Sequence, residues 1–173
     1  MPEGKLKGIS LIELLLCVAI VSVLITLTAP NLSSLFGKLR ADSAITALHQ
    51  DLQFSRITAI NYQRFVTLCP LANNLCSGDW SQGYQVFIDL EPYRQLDPND
   101  TVLRVKASFP PQDSLDNSAN SLGLLFSPWG FTNNNSSFVY CANSASNASQ
   151  TKLVISRAGR TRTQATDEDD NCL

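Results

Sequence analysis

The chain of 173 residues has one histidine, one methionine and two tryptophans, and only 16% of its residues are charged. The lone His49 has no second imidazole with which to hold a metal or relay a proton. It falls in a stretch that reads as helical, so it is expected to be a solvated helix residue. No nucleophile–base pair, phosphate-binding loop or ligand cluster occurs at recognisable spacing. No catalytic residue, metal site or cofactor is therefore expected. Thirteen Lys and Arg against fifteen Asp and Glu leave a formal net charge of −2, so any affinity for nucleic acid must come from a local cluster. The length admits one globular domain and one further segment, not two full domains.

What the chain does have is a long apolar run, Ile9 to Ala29, after the short basic opening Met1–Gly8. As a helix, at 1.5 Å per residue, the run spans roughly 30 Å, the thickness of a bilayer core. Lys5 and Lys7 precede it, which predicts that this end stays cytoplasmic and that everything after Pro30 is exported. Pro30 immediately after Ala29 is a poor context for ordinary signal cleavage. Within the run stands Glu13. A carboxylate in a membrane span costs about 2.5–3.5 kcal/mol on insertion scales, so it needs a partner and marks function.

Lys7-Gly8-Ile9-Ser10-Leu11-Ile12-Glu13 resembles the class III signal of type IV pilins and type II secretion pseudopilins. The resemblance implies that a prepilin peptidase cuts between Gly8 and Ile9 and methylates the new N-terminus at Ile9. Glu13 then becomes the fifth mature residue, and Pro30 takes the place of the family's helix-kinking proline. The physics agrees with that role. The freed amine at Ile9 is cationic, and Glu13 of one subunit can neutralise the amine of its neighbour, selecting the axial register of a filament.

Beyond Pro30 the pattern is amphipathic to about Asn61. Ala41, Ala44, Ile45, Leu48, Leu52 and Ile60 recur at three- and four-residue intervals, which predicts one helix face packed on a sheet. From there the period shortens. Arg64–Cys69, Tyr84–Leu90, Thr101–Phe109, Leu122–Phe126, Ser136–Ala142 and Lys152–Ser156 read as antiparallel strands between Pro, Gly, Asn and Ser clusters. Asp97–Asp100 and Ser127–Gly130 read as turns, and Asn143–Gln150 as a solvated loop. The expected organisation is a leader (1–8), a transmembrane helix (9–30), an amphipathic helix (31–61) and a β-rich domain (62–173), an α+β fold.

Cys17 lies in the apolar run and is expected to be a small core residue. Cys69, Cys76, Cys141 and Cys172 lie in the part expected to be exported, where disulfides persist. Four cysteines allow three pairings. Cys69–Cys76 is favoured because it closes a short polar loop between strands, which would leave Cys141–Cys172 to tie down the chain's end. Val66-Thr67-Leu68-Cys69-Pro70, Cys76, Asp79-Trp80, Gly83-Tyr84 and Val86-Phe87-Ile88-Asp89 look like the core of H-type minor pseudopilins and FimT/FimU-type minor pilins. That resemblance implies a long N-terminal helix on antiparallel sheets, with other pilin subunits as partners.

The last cluster is Ser156-Arg157-Ala158-Gly159-Arg160-Thr161-Arg162. Gly159 can re-aim the chain, and in an extended segment Arg160 and Arg162 project from one face roughly 6–7 Å apart. Two guanidinium forks at that interval can hold successive phosphates. Gly159-Arg160-Thr161-Arg162 is similar to the GRxR element of FimT-type pilins, implicated there in binding double-stranded DNA for natural transformation. The resemblance makes Arg160 and Arg162 phosphate contacts; Arg157 and Lys152 are helpers on composition. Asp167-Glu168-Asp169-Asp170 follows closely and opposes them in charge. The other expected role is structural: a priming minor pilin, or an H-type pseudopilin of a type II secretion system, without DNA binding. The expected path is from the inner membrane, with the globular domain periplasmic, into a pilus or pseudopilus.

Overall fold

The computed structural model describes residues 10–119, 122–142, 150–164 and 166, without the side chains of 26–34. The chain divides into two compact units, residues 1–36 and 37–173. One helix, α1 (Leu11–Tyr62), supplies residues to both. Pro30 lies inside it and does not end it. In the first unit the described side chains from Ser10 to Ile25 are all exposed. Cys17, expected as a core residue, is exposed and unpaired among the described residues.

In the second unit α1 packs with two four-stranded antiparallel sheets. One has the order β5–β4–β1–β7 and the other β10–β9–β8–β6. The first comprises β1 (Val66–Cys69), β4 (Tyr84–Ile88), β5 (Thr101–Lys106) and β7 (Leu124–Phe126). The second comprises β6 (Ser114–Asn117), β8 (Ser136–Cys141), β9 (Gln150–Ile155) and β10 (Thr161–Gln164). A small hairpin, β2 (Leu71–Ala72) with β3 (Leu75–Cys76), lies between β1 and β4 in sequence. This is the long helix on antiparallel sheets that the sequence implies.

The helix gives the core Ala41, Ile45, Leu48, Leu52 and Ala59, all at most 1% exposed. They recur at three-, four- and seven-residue steps, one face of a 3.6-residue helix. Ile60, expected on that face, is instead 38% exposed. From Leu52 the stripe runs through Ser55 to Ala59, and Ile60 falls one residue round the turn. Buried Ser55 donates its hydroxyl to the Asp51 carbonyl at 2.7 Å and so carries no unmet polar group. Gln63, at φ +51°, takes a left-handed conformation and ends the helix, with Arg64 N–H reaching back to the Ala59 carbonyl.

Alternate strand residues meet this stripe: Val66, Leu68, Val86, Leu124 and Phe126 from one sheet, and Leu115, Phe138, Tyr140, Leu153 and Ile155 from the other. Each large side chain so buried contributes about 1.5–3 kcal/mol. Trp80, from a short 3-10 helix, closes the core edge-on to Phe138 at 4.7 Å. Two aspartates tie strands to the helix. Asp113 accepts from both Nε and Nη2 of Arg40 and from the Tyr140 hydroxyl, while Asp51 accepts from Tyr84 and Arg104. Burial and these carboxylates push both tyrosine hydroxyls well above their ordinary range.

Strand β1 is buried on both faces. Its second face is covered by a smaller core of Cys69, Cys76 and Phe87, with Leu71 and Leu96 against it. The Cys69–Cys76 disulfide is formed, as expected. Cys141 is also disulfide-bonded; Cys172 lies outside the described residues. The expected turns at 97–100 and 127–130 are present, each closed by a hydrogen bond from the last residue to the first carbonyl. Strand β6, the β2–β3 hairpin and the strand identity of Thr161–Gln164 were not among the expected strands. The expected 143–150 loop lies outside the described residues except for Gln150, which opens β9.

Buried Asp89 accepts from Thr67 Oγ1 and from Arg94 N–H, and leaves Oδ1 without a partner. Burial raises its pKa; those two hydrogen bonds only partly offset the effect. A folded-state pKa above the unfolded one contributes stability at low pH that is lost as pH rises through it. Asp89→Asn, which cannot ionise, is therefore expected to gain stability relative to the parent as pH rises above the ordinary carboxylate range. Urea denaturation across that window measures the difference, and a gain that grew on acidification would contradict it.

Candidate nucleic-acid interface

The arginine cluster sits on the β9–β10 hairpin. Register pairs Arg162 with Val154, Thr163 with Leu153 and Gln164 with Lys152. Leu153 and Ile155 are buried, so their partners Thr163 and Thr161 are on the core side of the pleat, and Arg162 and Gln164 are on the outer side. Arg160, two residues before Arg162, is exposed as well. Among the described residues neither Arg160 nor Arg162 has a salt-bridge partner; the two ion pairs are those of Arg40 and Arg104. Thr161 is pinned to the helix by Gln53 Nε2 at 3.2 Å. Lys152 lies on the same outer face, one strand over and across from Gln164.

A groove of about 640 Å³ runs along this face, lined by Asn135, Val154, Ser156, Arg160 and Arg162 among others. A second hollow of about 300 Å³ shares Asn135 and Val154 with it and reaches Lys152 and Gln164. Among the described residues neither lining includes a carboxylate. The acidic run 167–170 lies outside the described residues.

The hairpin turn is shaped by glycine. Ser156 N–H donates to the Arg160 carbonyl and Gly159 N–H to the Ser156 carbonyl. Gly159 has φ +68°, and a Cβ there would lie 2.3 Å from the carbonyl oxygen of Gly130. Gly130 itself has φ +78°, at the tip of the 127–131 turn. The two glycine turns thus abut. Arg56 of α1 reaches beneath them, donating from Nε to the Gly130 carbonyl at 3.1 Å. Thr132 N–H donates to the Arg157 carbonyl, and Arg157 N–H to Asn135 Oδ1. Arg157 is therefore held by its backbone while its side chain is exposed. Nothing in the sequence spacing links Arg56 or Asn135 to this turn, since they stand far from it along the chain.

Of the other expected site residues, Glu13 lies in the first turn of α1 among exposed apolar side chains. Gly8 and Ile9 lie outside the described residues, as does the side chain of Pro30. Among the described residues no helix is long and apolar enough to cross a membrane; the described side chains of the apolar run stop at Ile25.

The family model described as Type II transport protein GspH matches residues 44–159, from the buried stripe of α1 to the glycine of the arginine turn. The chain belongs to the GspH family. This GspH-family chain is also 29% identical over 168 residues to the Pilin-like protein PilA1 of Thermus thermophilus, covering 90% of this chain and 97% of that one. Its fold matches the type IV minor pilin FimU of Pseudomonas aeruginosa with a TM-score of 0.57 at 22% identity, over 72% of this chain and 92% of FimU. It matches the minor pseudopilin EpsH of the Vibrio cholerae type 2 secretion system at 0.53 and 11%, over 72% and 96%. The protein is a minor pilin or pseudopilin of a type IV pilus or type II secretion system, associating with other pilin subunits in a surface-associated filament. Its family is a structural one, not a known enzyme class.

The turn geometry separates a shaping residue from exposed ones. Gly159→Ala is expected to destabilise the GspH-family fold by about 2 kcal/mol or more, from left-handed strain together with the clash on Gly130. Arg160→Gln and Arg162→Gln, which break no side-chain hydrogen bond or ion pair among the described residues, are expected to stay within about 0.5 kcal/mol of the parent. Denaturant midpoints measure all three, and an arginine variant that unfolds early would show that those side chains support the fold.

Proposed function

We propose that the protein is a minor pilin that captures double-stranded DNA without sequence preference, through Arg160 and Arg162, for uptake in natural transformation. The supporting observation is the pair of exposed arginines on one outer face, bordering a groove whose lining, among the described residues, has no carboxylate. Their spacing suits successive phosphates of one strand. Arg157 and Lys152 widen the positive field, and Gly159 holds the turn that presents it.

In the same reading, a prepilin peptidase cleaves after Gly8, residues 9–29 cross the inner membrane, and the β-rich domain is periplasmic until the subunit enters the filament. Glu13 pairs with the Ile9 amine of a neighbouring subunit and Pro30 bends the assembly helix. The exposed apolar side chains from Leu11 to Ile25 support this. The same side chains favour a second reading, a priming minor pilin or type II secretion pseudopilin, in which assembly is the whole function.

Glu13→Gln is expected to leave the subunit in the membrane but exclude it from sheared filaments, read by immunoblot of the two fractions; normal incorporation would remove Glu13 from assembly. DNA capture is tested by titrating the full chain in mild detergent with a short duplex at two salt concentrations. Binding should fall steeply with salt, and Arg160→Gln/Arg162→Gln should flatten the log–log slope by about 1.8, two phosphate contacts' worth. Absence of binding at low salt would leave the purely structural role.

A further inference from the structure

Beside the arginines the fold displays two aromatic rings that it does not use. Trp129 is 73% exposed and Phe131 56% exposed, whereas Trp80 is 1% exposed. A tryptophan is among the residues a fold most profitably buries, so a tryptophan left outside on an ordered turn calls for a reason. The turn is well tied. Gly130 N–H donates to the Ser127 carbonyl, Ser127 N–H to the Phe131 carbonyl, and Phe131 N–H to Ser127 Oγ. Thr132 N–H then binds the Arg157 carbonyl. The rings flank Gly130, whose carbonyl packs directly on Gly159 of the arginine turn. Two glycine-tipped turns in contact therefore present Trp129 and Phe131 on one and Arg157 and Arg160 on the other, with Arg162 continuing along β10.

Resting on the DNA reading above, we infer that Trp129 and Phe131 form a stacking platform for unpaired bases, so that the site holds a strand end or single-stranded stretch more tightly than intact duplex. Arginines that take phosphates, with aromatic faces next to them that take any base, are the elements of sequence-tolerant single-strand binding. In an intact duplex the base faces are already stacked on one another, so only the arginines engage it. The charge argues for nucleic acid over a protein neighbour. The turn that abuts Gly130 carries the exposed Arg157 and Arg160, and Arg56 donates to the Gly130 carbonyl between the rings; the carboxylates Asp89 and Glu91 line a hollow on the other side, at Pro128. The fixed turn also means that little ordering remains to be done on binding.

The test uses the full chain in mild non-ionic detergent, an oligothymidylate of about twelve nucleotides and a blunt duplex of about twelve base pairs. Trp129 is the reporter, because Trp80 is shielded in the core. The expected result is quenching of tryptophan fluorescence by the oligothymidylate. Trp129→Ala should weaken its binding about tenfold, Trp129→Phe should keep most of it, and duplex binding should change by less than about twofold. Arg160→Gln/Arg162→Gln should weaken both ligands. Duplex and single strand bound equally and indifferently to Trp129→Ala would overturn the platform while leaving the arginine site intact. No binding of either ligand by the parent at low salt would overturn the DNA reading and the platform together. Quenching of Trp129 on raising protein concentration without DNA, abolished by Phe131→Ala, would reassign the rings to a contact between copies of this chain.

Discussion

Everything in the second compact unit depends on one stripe of helix. Each four-stranded sheet has an apolar face that must be covered, and both faces share a core with Ala41, Ile45, Leu48, Leu52 and Ala59. Small alanines at its two ends let strands come close, and the branched side chains between them fill the space where the sheets converge. Asp51 and Asp113 then fix the docking. Asp51 is bonded by a tyrosine hydroxyl and one arginine N–H, and Asp113 by a tyrosine hydroxyl and two, so the helix and strands are joined in one geometry. A helix rotated by one residue would lose the stripe and both polar ties at once.

That frame is what makes the arginine hairpin an instrument and not a loose end. Among the described strands β10 is an edge strand, bonded only to β9. Its turn is held by Gly159 packing on Gly130, by Arg56 reaching in from the helix, and by the backbone ties of Arg157 to Thr132 and Asn135. Three elements distant in sequence meet there, and Gly159, facing Gly130 without a side chain, lets them meet. The glycine of the Gly-Arg-Thr-Arg element is thereby a packing residue, and the arginines are the ones left available to a ligand.

Much of this was legible in the residues. The helix followed from its apolar period, and the main strands from β-branched runs between turn residues, because both are local patterns that burial reinforces. The Cys69–Cys76 bridge followed from a short loop between two such runs. Less visible was β6, Ser114–Asn117, whose Ser-Leu-Asp-Asn has little strand character and is made a strand by pairing with β8. The helix's register near Ile60 was misplaced by one residue, since a stripe read over many turns drifts and only packing decides its end. The arginines were visible as a motif, but their surroundings were not. Arg56, Asn135 and the Trp129 turn come to the site through tertiary contacts that no spacing encodes.

The two sides of β1 have different chemical standing. The side against α1 is closed by side chains alone. The other is closed by Phe87, Leu71 and Leu96 around a sulfur–sulfur bond. A reducing environment leaves the first core its full complement and takes the covalent closure from the second, so of the two cores flanking β1 only one depends on the oxidant the domain meets.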